Sequence, residues 1–258
     1  MLNYETYENG SKFWIVFIHG IGGSTLTWKK QINDFSKNYN LLLIDLPGHG
    51  KSQNENEQVT IKNINGKIKE VLDYLNIKKA DFVGMSLGTL VIANFTVKYP
   101  QYVNSIIFGG AVIKVDGFYK LCMHITNFAK NLLPHNFMYD VIAHIIMPRR
   151  RHKKSRNIFI RESKKMKRKS FQSWIKYMSE ITHSQELLEK LKKLNIKMLF
   201  ISGEEDIYFI DGAKKVANYL TKSSIRIIEK CGHVCTIERA KEFNAYALNY
   251  LQYIHNTP

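Results

Sequence analysis

The chain has 258 residues, 45% hydrophobic and 23% charged, which is enough apolar material for one large domain with a substantial core. No apolar run approaches the roughly 18 residues of a membrane-spanning helix, and the opening MLNYETYENG lacks the basic and apolar regions of a secretory signal. The 38 Lys and Arg against 22 Asp and Glu give a formal charge of +16, and the three cysteines, with only Cys231 and Cys235 close in sequence, read as those of a reduced cytoplasmic protein.

From the N-terminus, FWIVFIH (13–19) is a continuous apolar run ended by GIGGS, the pattern of a strand buried on both faces. A helical stretch over 26–36 follows, then a second strand, LLLID (41–45), that stops at LPGHG. Helix-like periodicity over 59–75 leads to a third strand, DFVGM (81–85), and a helix over 87–99 leads to SIIFGG (105–110). After a long interruption, KMLFIS (197–202), a helix over 211–219, SIRIIE (224–229) and a helix over 234–253 close the chain. Strand and helix alternate, so the spacing predicts an α/β fold with a doubly wound, mainly parallel sheet.

Residues 114–194 break the alternation. They carry helix-like pieces but no buried strand, and read as a helical lid inserted over the carboxyl edge of the sheet, where ligands bind in such folds. The core is then 1–113 together with 195–258. The charge concentrates in this insertion: residues 114–185 hold 16 Lys and Arg against 4 Asp and Glu, and the densest run is RRRHKKSRNIFIRESKKMKRK (149–169). That run reads as a solvated face of lid helices. It also suits an anionic surface such as acidic lipid headgroups, with Ile158, Phe159, Ile160 and Met166 interleaved, or the steering of an acidic substrate. No nucleic-acid recognition motif accompanies the charge, so no specific nucleic-acid binding is expected.

Between the third strand and its helix stands Gly84-Met85-Ser86-Leu87-Gly88, a G-x-S-x-G motif in the strand–turn–helix context that gives it meaning. The turn must be tight enough to exclude side chains at 84 and 88, leaving Ser86 in strained geometry with its hydroxyl exposed. A serine nucleophile needs a base and an orienting acid. His233, after the last strand, is the candidate base. Asp206, after the strand at 197–202, is the candidate acid, with Glu204, Glu205 and Asp116 as rivals.

Four segments, HGIGGS, DLPGHGKS, GMSLGTL and SGEED…CGH, together resemble the alpha/beta-hydrolases, the broad family typified by single-domain esterases. The resemblance implies that fold, the order Ser86, Asp206, His233, and an oxyanion hole from the backbone N–H groups of Ile21 and Leu87. It implies no metal or organic cofactor. It marks His19 as a buried structural histidine; His49, in PGHGKS, reads as a turn residue near the pocket, and Asp45, which closes a strand, as structural. Thr89 stands where a second glycine is common, IERAKEF lacks a frequent proline, and the short N-terminus implies that the usual first strand is missing. Cys231 and Cys235 flank His233, but no third and fourth ligand accompany them, so they read as small buried side chains.

The expectation is a serine hydrolase acting on a small or medium-chain carboxylic ester through an acyl-enzyme. Met123, His124, Phe128, Phe137, Tyr139 and Met147 of the insertion would supply an apolar acyl pocket. One rival keeps the three residues and cleaves a C–C, thioester or amide bond. Another uses the fold as a ligand receptor with the basic segment as its docking surface.

Overall fold

The computed structural model describes residues 1–53, 59–114, 117–181 and 185–256. Among these, seven strands form one sheet: β1 (Tyr4–Tyr7), β2 (Trp14–Ile18), β3 (Asn40–Ile44), β4 (Ala80–Met85), β5 (Val103–Gly109), β6 (Lys197–Gly203) and β7 (Ser223–Ile228), in the order β1-β3-β2-β4-β5-β6-β7. All neighbours from β3 to β7 are parallel, so the doubly wound reading holds. β1 runs antiparallel to β3, with Tyr4 opposite Ile44. The segment before Phe13, expected to lack a strand, therefore supplies one.

The helices are α1 (Lys29–Phe35), α2 (Ile61–Tyr74), α3 (Leu87–Lys98), α4 (Gly117–Ala129), α5 (His135–Ile146), α6 (Lys153–Ser163), α7 (Arg168–Ile181), α8 (Gln185–Lys193), α9 (Ile210–Tyr219), α10 (Cys235–Glu238) and α11 (Ala240–Asn256). Strand side chains alternate between faces. Val16, Ile18, Leu42 and Ile44 pack with residues of α2 and α3. Ile15, Phe17, Leu41 and Leu43 pack with Phe35 of α1 and with Phe243, Ala247 and Leu251 of α11. The sheet is thus covered on both faces, which is why its parallel strands read as unbroken apolar runs. α3 is apolar nearly all round and runs through the core.

Helices α4–α8 occupy the chain between β5 and β6. α4 packs on α7 and α5 on α6, whereas α8 packs on α3 with Leu187, Leu188 and Leu191 buried. Trp174 of α7 is fully buried and donates from Nε1 to the Pro47 carbonyl at 2.8 Å, anchoring α7 to the loop after β3. The final helical stretch is broken at Arg239, whose φ of −129° and ψ of 53° separate α10 from α11. Among the described residues no helix is long and apolar enough to cross a membrane.

Candidate active site

Ser86 is the single residue between β4 and α3, with φ +52° and ψ −117°, a left-handed conformation that is costly for a residue with a Cβ. Its N–H donates to the Gly109 carbonyl at 2.9 Å. The strain persists because the neighbours leave no alternative. A Cβ on Gly88 would lie 2.1 Å from the Ile18 carbonyl oxygen, and one on Gly84 would lie 2.8 Å from the Gly88 carbonyl carbon. Thr89, a departure from the family pattern in sequence, ties this turn down: its hydroxyl donates to the Ser86 carbonyl at 2.6 Å and accepts from Val112 N–H at 3.2 Å.

Asp206 and His233 arrive on the loops after β6 and β7. Those loops are laced together by Glu204 N–H to the Ile228 carbonyl (2.9 Å) and Glu205 N–H to the Cys231 carbonyl (2.8 Å). His233 Nε2 lies 2.8 Å from Ser86 Oγ, and its Nδ1 lies 2.9 Å from Asp206 Oδ2. Asp206 and His233 are 1% and 2% exposed, and Phe209 stacks on the imidazole with ring centroids 4.7 Å apart. Burial of this kind strengthens the charge–dipole interactions within the trio.

Two of the rival acids, Glu204 and Glu205, bind other partners. Glu204 Oε2 accepts from Lys230 N–H at 3.0 Å. Glu205 is buried against the basic segment, accepting from Arg149 Nη1 (3.1 Å) and His152 Nε2 (2.9 Å), with Arg151 Nη1 at 3.3 Å. Asp116 falls outside the described residues.

The Gly20–Gly23 turn, closed by Gly23 N–H to the Gly20 carbonyl at 3.0 Å, abuts Ser86. A Cβ on Gly20 would lie 3.2 Å from Ser86 Cβ, so the Ile21 amide belongs to the wall beside Ser86, as Leu87 does at the head of α3. Two buried histidines hold this turn. His19 Nε2 accepts from Leu46 N–H at 3.0 Å, which leaves Nδ1–H to donate to the Gly20 carbonyl at 2.7 Å. His49 Nε2 accepts from Gly22 N–H at 3.0 Å and its Nδ1–H donates to the Pro47 carbonyl at 3.1 Å. Burial pushes the pKa of both below the usual histidine value. For His49 the neighbouring His19 lowers it further, and for His19 the Gly20 carbonyl and Asp45 partly offset the burial. Asp45 is structural, with its carboxylate accepting from Thr25 N–H, Lys51 N–H and Asn3 Nδ2. Sequence reading places His49 near the pocket but misses its grip on Gly22, because the two loops are 27 residues apart.

Two cavities meet at Ser86 and His233. The larger is walled by Ile142, Ile145 and Ile146 of α5, Ile175 and Met178 of α7, and Phe209. The smaller is lined by the Gly20–Gly23 turn, Ile158, Phe159 and Glu162. Of the five expected pocket residues whose side chains are described, Tyr139 alone lines the larger cavity. His124, Phe128 and Phe137 face outward, Met147 is buried in the core, and the side chain of Met123 is outside the described set. Helical periodicity identifies an apolar face without telling which way it turns. Ile158 and Phe159 line the smaller cavity, Ile160 packs against the core and Met166 is buried, so these four do not furnish an exposed surface.

Cys231 and Cys235 are buried free thiols whose pKa values burial raises strongly. Among the described residues no group of three or more His, Cys, Asp or Glu could hold a metal ion.

A family model described as the alpha/beta hydrolase fold matches residues 14–240. The chain is similar to the 3-oxoadipate enol-lactonase 2 of Acinetobacter baylyi (27% identity, 44% of this chain, 43% of that protein). It is also similar to the 2-hydroxy-6-oxononadienedioate/2-hydroxy-6-oxononatrienedioate hydrolase of Escherichia coli K12 (23% identity, 92% of this chain, 86% of that protein). The chain spans less than half the length of three curated relatives it matches, at 26%, 43% and 37%. Among solved structures, a carboxylesterase structure from Nitrososphaera gargenis superposes with a TM-score of 0.82 at 19% identity, covering 98% of this chain and 94% of the other. At that identity the likeness is one of fold.

Proposed function

Because the chain belongs to the alpha/beta-hydrolase fold family, we propose that it is a serine hydrolase that cleaves a carboxylic ester with Ser86 as nucleophile, His233 as base and Asp206 as orienting acid. One observation carries this reading: the unbroken hydrogen-bonded line from Ser86 Oγ through the His233 imidazole to Asp206 Oδ2, at 2.8 and 2.9 Å.

In this reading His233 Nε2 takes the hydroxyl proton as Ser86 Oγ bonds to the carbonyl carbon, and Asp206 keeps the Nδ1–H tautomer and stabilises the imidazolium. The carbonyl oxygen, now an oxyanion, rests on the Ile21 and Leu87 N–H groups, each worth ~3–4 kcal/mol at the transition state. Collapse expels the alcohol, which takes the proton from His233, and leaves an acyl-serine. Water then gives a proton to His233 and attacks the acyl carbon, and the proton returns to Ser86 as the acid departs. The larger cavity suits the acyl chain of a small or medium-chain ester, because its walls are mostly isoleucine, methionine and aromatic. The smaller one suits the leaving group, and α4–α7 act as the lid.

A second reading keeps these residues and changes the bond to a C–C, thioester or amide link. The named activities of the relatives, a lactonase and an oxo-dienedioate hydrolase, support that spread. Turnover measured across p-nitrophenyl esters of rising acyl length, a lactone, thioesters and amino-acid arylamides separates the two. Ester cleavage that vanishes in Ser86→Ala supports the first reading. Inactivity on every ester removes it, and a ligand response that survives Ser86→Ala would favour a receptor instead.

A further inference from the structure

Helices α4 and α5 leave large apolar side chains in water. On α4 and the loop after it, Leu121, Ile125, Phe128 and Leu132 recur at intervals of four, three and four, one face of a helix, and Phe128 is 75% and Leu132 69% exposed. On α5, Phe137, Val141 and Ile145 recur every four residues and are likewise exposed. Exposed apolar stripes of this kind on two water-facing helices joined by one short loop mark a binding face.

The surroundings decide what it binds. The loop between the two helices rests on the start of α7: Arg168 Nη2 donates to the Asn131 carbonyl at 2.6 Å and Gln172 Nε2 to the Lys130 carbonyl at 3.1 Å. Arg168 and its neighbours Lys167 and Lys169 are exposed there. Between residues 117 and 146 the sole acid is Asp140, whose carboxylate lies 3.7 Å from His144 Nδ1. The same helices also flank an entrance: Thr126 of α4 and Ile145 of α5 both line the larger cavity, and Ile145 is at once cavity wall and surface. An apolar face with cations at one end, and an apolar cavity reaching the surface beside it, matches a lipid phase that offers anionic headgroups and acyl chains together.

We propose that the α4–α5 face, with the cations at the start of α7, docks the protein on an anionic phospholipid surface, from which the acyl chain of its substrate enters the cavity at Ile145. The docking stands on the surface alone, and the entry of substrate rests on the ester-hydrolase reading above.

Flotation of the full chain with phosphatidylcholine vesicles, with and without phosphatidylserine, tests it. The protein is expected to float with the phosphatidylserine vesicles and to be released by salt. Phe128→Gln with Leu132→Gln should weaken binding about tenfold or more, and Lys169→Gln about fivefold, each with an unchanged thermal midpoint. Ser86→Ala should float as the wild type does. Failure to float, flotation indifferent to the apolar pair, or a dimer in gel filtration that this pair dissolves would each overturn the proposal. Fluorophosphonate labelling of Ser86 in the same preparations separates the failures, since a labelled protein that does not float retains the hydrolase reading and loses the docking.

Discussion

Ser86 Oγ lies 2.8 Å from His233 Nε2 although 147 residues separate them, and the contact exists because β4 and β7 deliver their loops to the same edge of one sheet. Each member of the line has a different proposed duty, so the members should fail differently. Ser86→Ala should lower kcat for an activated ester by about 10⁴-fold or more, and Asp206→Asn by about 10⁴-fold through the wrong imidazole tautomer, with little change in KM or in thermal midpoint. Steady-state kinetics on the folded variants check this, and an Asp206→Asn enzyme of near-normal kcat would contradict it.

His49 is hydrogen-bonded to neither Ser86 nor His233, yet its Nε2 holds the Gly22 N–H beside Ile21. His49→Ala leaves that amide unpaired and frees the turn. A loss of about 1–2 kcal/mol of hydrogen bonding, expressed in the transition state alone, appears as a roughly tenfold fall in kcat with KM nearly unchanged. An equal rise in KM would place the effect in ground-state binding instead.

Acid should destabilise the fold through the same pair of rings. His19 and His49 have folded pKa values lowered by burial, so the unfolded chain binds their protons more readily. Their stabilisation is complete above the unfolded value of about 6.5 and is lost progressively as pH falls below it toward the lowered folded values. The urea midpoint of the wild type should fall between about pH 7.5 and about pH 5.5. His49→Gln should show a lower midpoint at the upper pH and a shallower dependence.

The sheet is legible in sequence because parallel strands covered on both faces need unbroken apolar runs, and LLLID and FWIVFIH have no other use in a folded chain. The elbow is legible for a similar reason: Gly84 and Gly88 flank Ser86 because nothing larger fits. β1 escapes notice because YETY is a four-residue edge strand, half-buried at every position, with adjacent Glu5 and Thr6 in place of an apolar run or a period-two alternation. The break at Arg239 is hidden by an apolar pattern that continues through it. The cavity wall is misread for a deeper reason. In α5, Phe137 and Val141 turn out while Tyr139, Ile142 and Ile146 turn in, and only the packing partners of the helix decide which apolar stripe is interior.

The elbow glycines differ from ordinary ones in a way that stability can report. Gly88→Ala puts a Cβ 2.1 Å from the Ile18 carbonyl oxygen, so the backbone of β2 or α3 must move, at a cost above about 4 kcal/mol. Gly66, inside α2 with nothing within 4 Å of its Cβ position, should instead gain about 0.5–1 kcal/mol as Gly66→Ala. Thermal midpoints that move in the same direction would refute the strain assigned to the elbow.

The most direct test of the central claim is intact-mass and peptide-mapped labelling by a fluorophosphonate. A single adduct on Ser86 is expected, absent in Ser86→Ala and slowed by orders of magnitude in His233→Ala. A folded wild-type protein that takes up no label at Ser86, or one whose labelling rate is indifferent to His233, would contradict it.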